Sequence, residues 1–231
     1  MTDRAAILAR LARLVADRAR ERHLAERLCE ASRLLLNVDA ASITVSNDSS
    51  NRITLAATNE VAARLEDLQD VLGEGPCRDA YRTGTAVRVS LDGEAAQRWP
   101  EFTRAARSSV GVVSIYCFAM RPAAQVFGTL SLYLERAPEI AESDETAQFI
   151  ADAVGAALLR DPSAGDGITD SGAWSSRAGI HQATGMVVAQ LGISPDDALA
   201  ILRAHAYADD ATLAEIAQLV VHRRLDFSRG D

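Results

Sequence analysis

Residues 161–172, DPSAGDGITDSG, combine glycine, proline, serine and aspartate and carry no apolar period. Such a stretch has no hydrophobic face to bury, so it reads as a linker. It divides the chain of 231 residues into two folding units with different patterning. Ahead of it, several segments alternate apolar and polar residues, as strands do. Behind it, apolar residues recur only every third or fourth position, as in helices. The length suffices for one or two hydrophobic cores.

Ahead of the linker, residues 3–36 read as helical, with Ile7, Leu11, Leu14 and Val15 and then Leu24, Leu28, Ala31 and Leu35 on one stripe. Between these sets ADRARERH (16–23) is nearly all polar, so the helix is expected to bend or to be solvated there. Asn37 and Asp39 end the segment. SITVSN (42–47) and RITLAATN (52–59) then alternate about a DSS turn, which is a hairpin pattern. Residues 60–70 return to helical spacing, GEGPC (73–77) is a glycine-proline loop, 77–82 suits a short helix, and TAVRVS (85–90) suits a strand. Residues 95–107 are weakly helical. GVVSIYCFAM (111–120) and VFGTLSLYL (126–134) carry the strongest strand signal, and their β-branched and aromatic content predicts a buried antiparallel pair. SDETAQFIADAVGAALLR (143–160) predicts a helix capped by Ser143, with acids in its first turn. Helices before, within and after a set of about five strands make this an α+β unit.

Behind the linker, residues 173–227 predict three short helices. Over 180–191, Ile180, Ala183, Val187 and Leu191 form one stripe, with Val188 beside it. His181, Gln182, Gly185 and Ala189 fall on the opposite side. A glycine inside a helix costs roughly 1 kcal/mol relative to alanine, and what it offers is close approach by another backbone or a ligand. Gly185 therefore marks either a contact surface or a tolerated residue on a solvated face. The second helix opens with Ser194, Pro195, Asp196 and Asp197, each suited to a helix N-terminus. Ala198, Ile201, Leu202 and His205 share its apolar side, while Arg203 and Tyr207 stand one turn apart elsewhere. The third opens with a capping box, Thr212 to Glu215, and carries Leu213, Ile216, Ala217, Val220 and Arg224 on its stripe. His222, Arg223 and Arg224 complement the dipole at its end. So thin and alanine-rich a core is expected to need packing on a partner or a second copy.

Net charge is −8 and the pI about 5.1, which excludes broad, nonspecific nucleic-acid binding but leaves room for a small local site. No apolar run approaches the roughly 18 residues of a membrane span. Arg and Asp interrupt the N-terminal apolar residues, so no signal peptide is read; a cytoplasmic location with no membrane partner is expected. Cys29, Cys77 and Cys117 are too far apart in sequence for a metal knuckle or a CxxC pair, and no disulfide framework is expected. His23, His181, His205 and His222 lack ligand spacing. With no GxSxG, P-loop or Rossmann glycine set, neither a catalytic residue nor a metal site is predicted, and the chain is not read as an enzyme. Cys77, beside Arg78 and near a helix start at Pro76, is a candidate redox or attachment residue; otherwise it packs behind the glycine-proline loop.

The stretch IHQATGMVVAQLGISPDDALAILRAHAYADDATLAEIAQLVV resembles an ANTAR domain, the three-helix RNA-binding unit of bacterial transcription antiterminators. The resemblance rests on Ile180, Ala183, Gly185 and Met186, then Ala198, Leu202, Arg203 and Ala206, then Leu213, Ile216 and Ala217. GEGPC, TAVRVS and WPEF (99–102) are similar to the GAF type joined to ANTAR in actinobacteria. The implied fold is α+β: an N-terminal helical segment (1–36), a GAF-like antiparallel-sheet sensor domain with flanking helices (22–160), a linker (161–172), and a small all-α three-helix ANTAR domain (173–227). The implied function is a signal-responsive antitermination regulator that binds stem-loop RNA, acts as a homodimer and is controlled by its sensor domain. RNA contacts are expected from Gln182, Thr184, Gly185, Arg203, His205 and Tyr207, since unstacked loop bases are gripped by polar, aromatic and Arg side chains. GAF folds bind varied small molecules or none, so a ligand or cofactor stays unknown. Two positions depart from the family: Thr184 stands where Lys is frequent, and the acidic pair Asp209-Asp210 stands where the loop is often basic. Residues 173–231 sum to −2, which predicts weak RNA binding by a single unit, or binding after dimerisation pairs two sites. The rival reading is a ligand- or redox-sensing GAF protein whose helical tail binds a protein partner.

Overall fold

The computed structural model describes residues 4–17, 23–46, 52–93, 95–122, 125–135, 139–161 and 172–228, with side chains in the last segment from residue 179 onward. The predicted linker, from 162 on, lies outside the described residues up to 171.

Side-chain alternation in two strands sets the layering of the first unit. β4 (Ser114–Met120) and β5 (Gly128–Leu134) are buried along their whole length, so both faces of the sheet must be covered. Successive residues point to opposite sides. Tyr116, Phe118, Met120, Leu130, Leu132 and Leu134 enter one core, while Ile115, Cys117 and Tyr133 enter the other. With β1 (Ala40–Ser46), β2 (Arg52–Ala57) and β3 (Val87–Ser90) they form an antiparallel sheet in the order β2-β1-β5-β4-β3. The predicted hairpin is β1–β2; its turn, residues 47–51, lies outside the described residues.

Three helices cover the first face: α1 (Arg4–Ala16), α2 (Leu24–Leu36) and α7 (Asp144–Leu159). α2 stops where Asn37 adopts the left-handed conformation at φ 51°, which Asn tolerates better than most residues. Ser143 caps α7, its hydroxyl accepting from the Thr146 amide at 3.3 Å, as its sequence predicts. Most of the polar stretch between α1 and α2, residues 18–22, lies outside the described residues. The second face is covered by α3 (Glu60–Leu72), α4 (Pro76–Thr83), α5 (Ala95–Arg98) and α6 (Pro100–Val110). The single helix expected over 95–107 is divided at Trp99, because Pro100 starts a new helix better than it continues one.

Gly128 starts β5 with the backbone of β1 close against it. A Cβ there would lie 2.2 Å from the Thr44 carbonyl oxygen of β1. Gly128→Ala is expected to cost about 2–3 kcal/mol of stability, measured by urea unfolding, because backbone rather than a flexible side chain would have to yield.

In the second unit α8 (Gly172–Leu191) has 20 residues, longer than the dozen the apolar stripe suggested. α9 (Pro195–Ala208) is capped by Ser194, which accepts from the Asp197 amide at 3.2 Å. α10 (Leu213–Val221) begins with the predicted capping box between Thr212 and Glu215. Ala183, Val187, Ala198, Leu202, Ala206, Leu213, Ile216, Ala217 and Val220 make its core. Leu191, placed on the stripe by its spacing, is exposed, and Arg224 lies beyond α10 in solvent. The core gains one outside member, Val71 of α3. The support expected from a partner or second copy thus comes in part from the sensor unit itself.

α3 consequently serves two cores. Ala62, Leu65, Glu66 and Gln69 turn toward the sheet and α4. Arg64, Asp67 and Val71, spaced at three and four residues, form the stripe that meets the tail.

Candidate nucleic-acid interface

On α8 the buried Ala183 and Val187 leave Gln182 and Gly185 exposed on the other side. A Cβ built at Gly185 would meet no atom within 4 Å, so the surface there is open. Thr184 is half-buried, and its hydroxyl donates to the Ile180 carbonyl at 2.8 Å, a bond within the helix itself. His205 of α9 is also half-buried. Its ring stands edge-on to Phe227 with centroids 4.8 Å apart, where the C-terminal segment folds back. The Phe227 amide donates to the Gln190 side-chain oxygen at 3.1 Å and holds that segment on α8.

Arg203 and Tyr207 turn toward the first unit. Arg203 is half-buried, and its Nε has no hydrogen-bond partner among the described residues. Burial pushes its guanidinium down from the ordinary arginine value, with Asp70 of α3 and Asp196 opposing the shift. The Tyr207 hydroxyl accepts from the Arg104 guanidinium of α6, which also lies over the ring, 5.8 Å from its centroid. Nearby, Arg64 pairs with Asp210. The six sequence-predicted contact residues are therefore divided: Gln182 and Gly185 face open space, Thr184 and His205 are engaged within the tail, and Arg203 and Tyr207 are held against α3 and α6. The acidic loop that departed from the family pattern has a partner in Arg64.

On the second face of the sheet a charged cluster is buried beside the apolar core. Glu66 accepts from the hydroxyls of Ser42 at 2.7 Å and Tyr133 at 2.9 Å through one oxygen, and from Arg52 at 2.8 Å through the other. Arg52 also donates to Asp70 at 2.8 Å. The Arg52 and Glu66 side chains are 2% and 1% exposed, so both charges are desolvated and each depends on the other. Sequence reading missed this pair, although a signal existed: Arg52 opens a strand, and Glu66 follows Leu65 on the apolar side of α3. Arg78, just beyond, is pushed down to about 10 by burial and by the positive charge of Arg52.

Cys77 is fully buried in the first turn of α4, against Gln69, Cys117 and Ser131. The acids flanking it in sequence have other roles. Glu74 accepts from the Phe102 amide at 2.8 Å and caps α6, while Asp79 pairs with Arg82 and Arg98. Among the described residues no group of three or more His, Cys, Asp or Glu side chains is placed to hold a metal ion.

Comparison with known families settles what the two units are. A GAF domain matches residues 21–158, and an ANTAR domain matches residues 171–221. The chain belongs to the GAF family and carries a C-terminal ANTAR domain. This pairing is the architecture of a regulator, a GAF sensor domain followed by an RNA-binding ANTAR domain. Solved structures similar to the GAF part include the GAF domain of an Acinetobacter phosphoenolpyruvate-protein phosphotransferase, at 13% identity over 72% of this chain and 99% of that one, with a TM-score of 0.47. Another is the GAF domain of A. aeolicus nlh2 in an inactive state, at 12% identity over 68% and 97%, with a TM-score of 0.46. No curated protein matches the chain. Among the described residues no single helix is long and apolar enough to cross a membrane.

Proposed function

We propose that this protein is a signal-responsive regulator of transcription antitermination, whose ANTAR domain binds stem-loop RNA under control of its GAF domain. The observation that carries the reading is the open surface at Gly185 inside the ANTAR match, flanked by the exposed Gln182. It offers a close approach that the helix otherwise has no reason to keep at glycine's cost. Arg203 and Tyr207 complete the RNA surface when α9 leaves α3 and α6, and holding them is how the sensor domain restrains binding. Thr184 and His205 support the surface from its edge. Homodimerisation through α1 and α7 would set two ANTAR domains on two loops, offsetting the weak charge of each, and a cytoplasmic location follows from the RNA target. The GAF ligand is unassigned.

The test is a gel shift of the full chain with a two-stem-loop RNA at low salt, repeated as salt rises to count the phosphates met. The wild type is expected to shift the RNA. Gly185→Leu should abolish the shift while helicity is kept and stability rises by up to about 1 kcal/mol, since leucine favours helix. Unchanged binding by Gly185→Leu overturns the assigned surface. Arg64→Ala combined with Arg104→Ala loosens the docked tail and is expected to tighten RNA binding a few-fold. The acidic balance of the tail favours one rival, a sensor whose tail contacts a protein; failure of the dimeric wild type to shift any stem-loop RNA at low salt would support it.

A further inference from the structure

The second core contains a pair of sulfurs that sequence spacing gave no reason to join. Cys77 lies in the first turn of α4 and Cys117 in the middle of β4, 40 residues apart, and both are fully buried. Their Sγ atoms are 2.7 Å apart, nearer the roughly 2.05 Å of a disulfide bond than the contact of two unbonded sulfurs. The immediate surroundings are polar. The Gln69 side-chain amide donates to Cys77 Sγ at 3.1 Å, and its oxygen accepts from the Cys77 backbone amide at 2.8 Å. The Ser131 hydroxyl lies 3.0 Å from Cys77 Sγ. Gly75, just before α4, fixes this arrangement: its φ is +142°, and a Cβ there would lie 2.4 Å from Gln69 Cγ.

We propose that Cys77 and Cys117 are a reversible redox pair that closes to an intramolecular disulfide on reaction with a hydroperoxide. Cys77 is the attacking sulfur. It lies in the first turn of α4 and accepts from the Gln69 amide, whereas burial and the neighbouring Cys77 hold the Cys117 thiol protonated. Cys77 Sγ attacks one oxygen of the hydroperoxide and the O–O bond breaks. The leaving oxygen departs as alcohol or water with the proton from the Cys77 thiol, and Cys77 becomes a sulfenic acid. Cys117 Sγ then attacks that sulfur, the S–O bond breaks, and hydroxide leaves as water with the Cys117 proton. Two thiols are oxidised by the loss of two hydrogens, and one hydroperoxide is reduced. A thiol reductant reverses the bond by exchange. Cys29 takes no part: it is buried on the other side of the sheet, and its sulfur is directed at the Ala56 carbonyl. Closure would also remove the thiol that Gln69 holds, and Gln69 belongs to α3, the helix on which the ANTAR domain rests.

The test uses the full chain, reduced, freed of reductant and treated while folded with hydrogen peroxide. The reaction is quenched, the protein denatured, and free thiols alkylated for mass spectrometry. Alkylated thiols are expected to fall from three to one, with Cys29 the one left and a linked peptide pair containing Cys77 and Cys117. Dithiothreitol should restore all three. In Cys117→Ser the linked pair is absent and Cys77 is trapped as sulfenic acid by dimedone, while Cys29→Ser behaves as the wild type. Three alkylatable thiols after peroxide, a disulfide that uses Cys29, or a bond between two chains would each overturn the proposal. The wild-type measurement decides even where a variant does not fold, and none of these readouts depends on RNA.

Discussion

Glu66→Ala is expected to lower the stability of the protein by about 3–5 kcal/mol in urea melts at pH 7, a large part of the 5–15 kcal/mol that holds a typical domain together. The substitution leaves Arg52 buried with Asp70 as its remaining anionic partner, and it takes from Ser42 and Tyr133 the oxygen both donate to. Removing one member of a buried pair costs more than the pair contributes, because the surviving charge keeps its desolvation penalty. Glu66→Gln, which keeps an acceptor but not the charge, should cost less. Burial alone would push the Glu66 carboxyl up, but Arg52 and the hydroxyls of Ser42 and Tyr133 outweigh it and hold the carboxyl below its ordinary value. The ionised form is therefore favoured by folding. Its contribution is complete above the unfolded carboxylate range and is lost as pH falls through the lowered folded value.

The neighbouring residue should titrate in the opposite sense. Asp67 is pushed up to about 7, first by burial and then by Asp70, against the pull of Arg64 and a hydrogen bond from the Leu213 amide of α10; Glu215 on α10 adds repulsion. One of its carboxylate oxygens is buried with no hydrogen-bond partner among the described residues. The folded value lies above the unfolded one, so the contribution is full below the ordinary aspartate range and is lost as pH rises through about 7. The wild type is expected to lose about 2–3 kcal/mol between pH 5 and pH 9 through this group. Asp67→Asn should flatten the dependence and be the more stable protein at pH 9. Because Asp67 faces the ANTAR domain, the lost stability should appear first as release of the tail, which protease cutting after Arg203 or Arg104 would follow. A pH profile unchanged by Asp67→Asn would refute the assignment.

Much of this architecture was legible in the chain because it is local. The β1–β2 hairpin, the β4–β5 pair, the Ser143 and Ser194 caps and the Thr212–Glu215 box each follow from residues a few positions apart. α8 was underestimated because GAWSSRA, ahead of Gly179, offers little apolar contrast to extend the stripe. The candidate site was legible only in part. A wheel places Gln182 and Gly185 on the open side correctly, but it cannot show that Arg203 and Tyr207 look toward another domain. Arg52 and Glu66, or Cys77 and Cys117, meet only after the sheet has brought β1, β2, β4 and β5 beneath α3 and α4. No one-dimensional period carries such a meeting.

The double role of α3 has a consequence for exchange of parts. Its 13 residues span about 20 Å. The positions that read the sensor core (62, 65, 66 and 69) and those that receive the tail (64, 67 and 71) are distinct, and Asp70, which accepts from Arg52 and acts on Arg203, is the one that belongs to both sides. A chimera can therefore take a different output domain by rewriting three outward positions of α3 together with Arg104 of α6, with the inward positions, and whatever the sensor perceives through them, left intact.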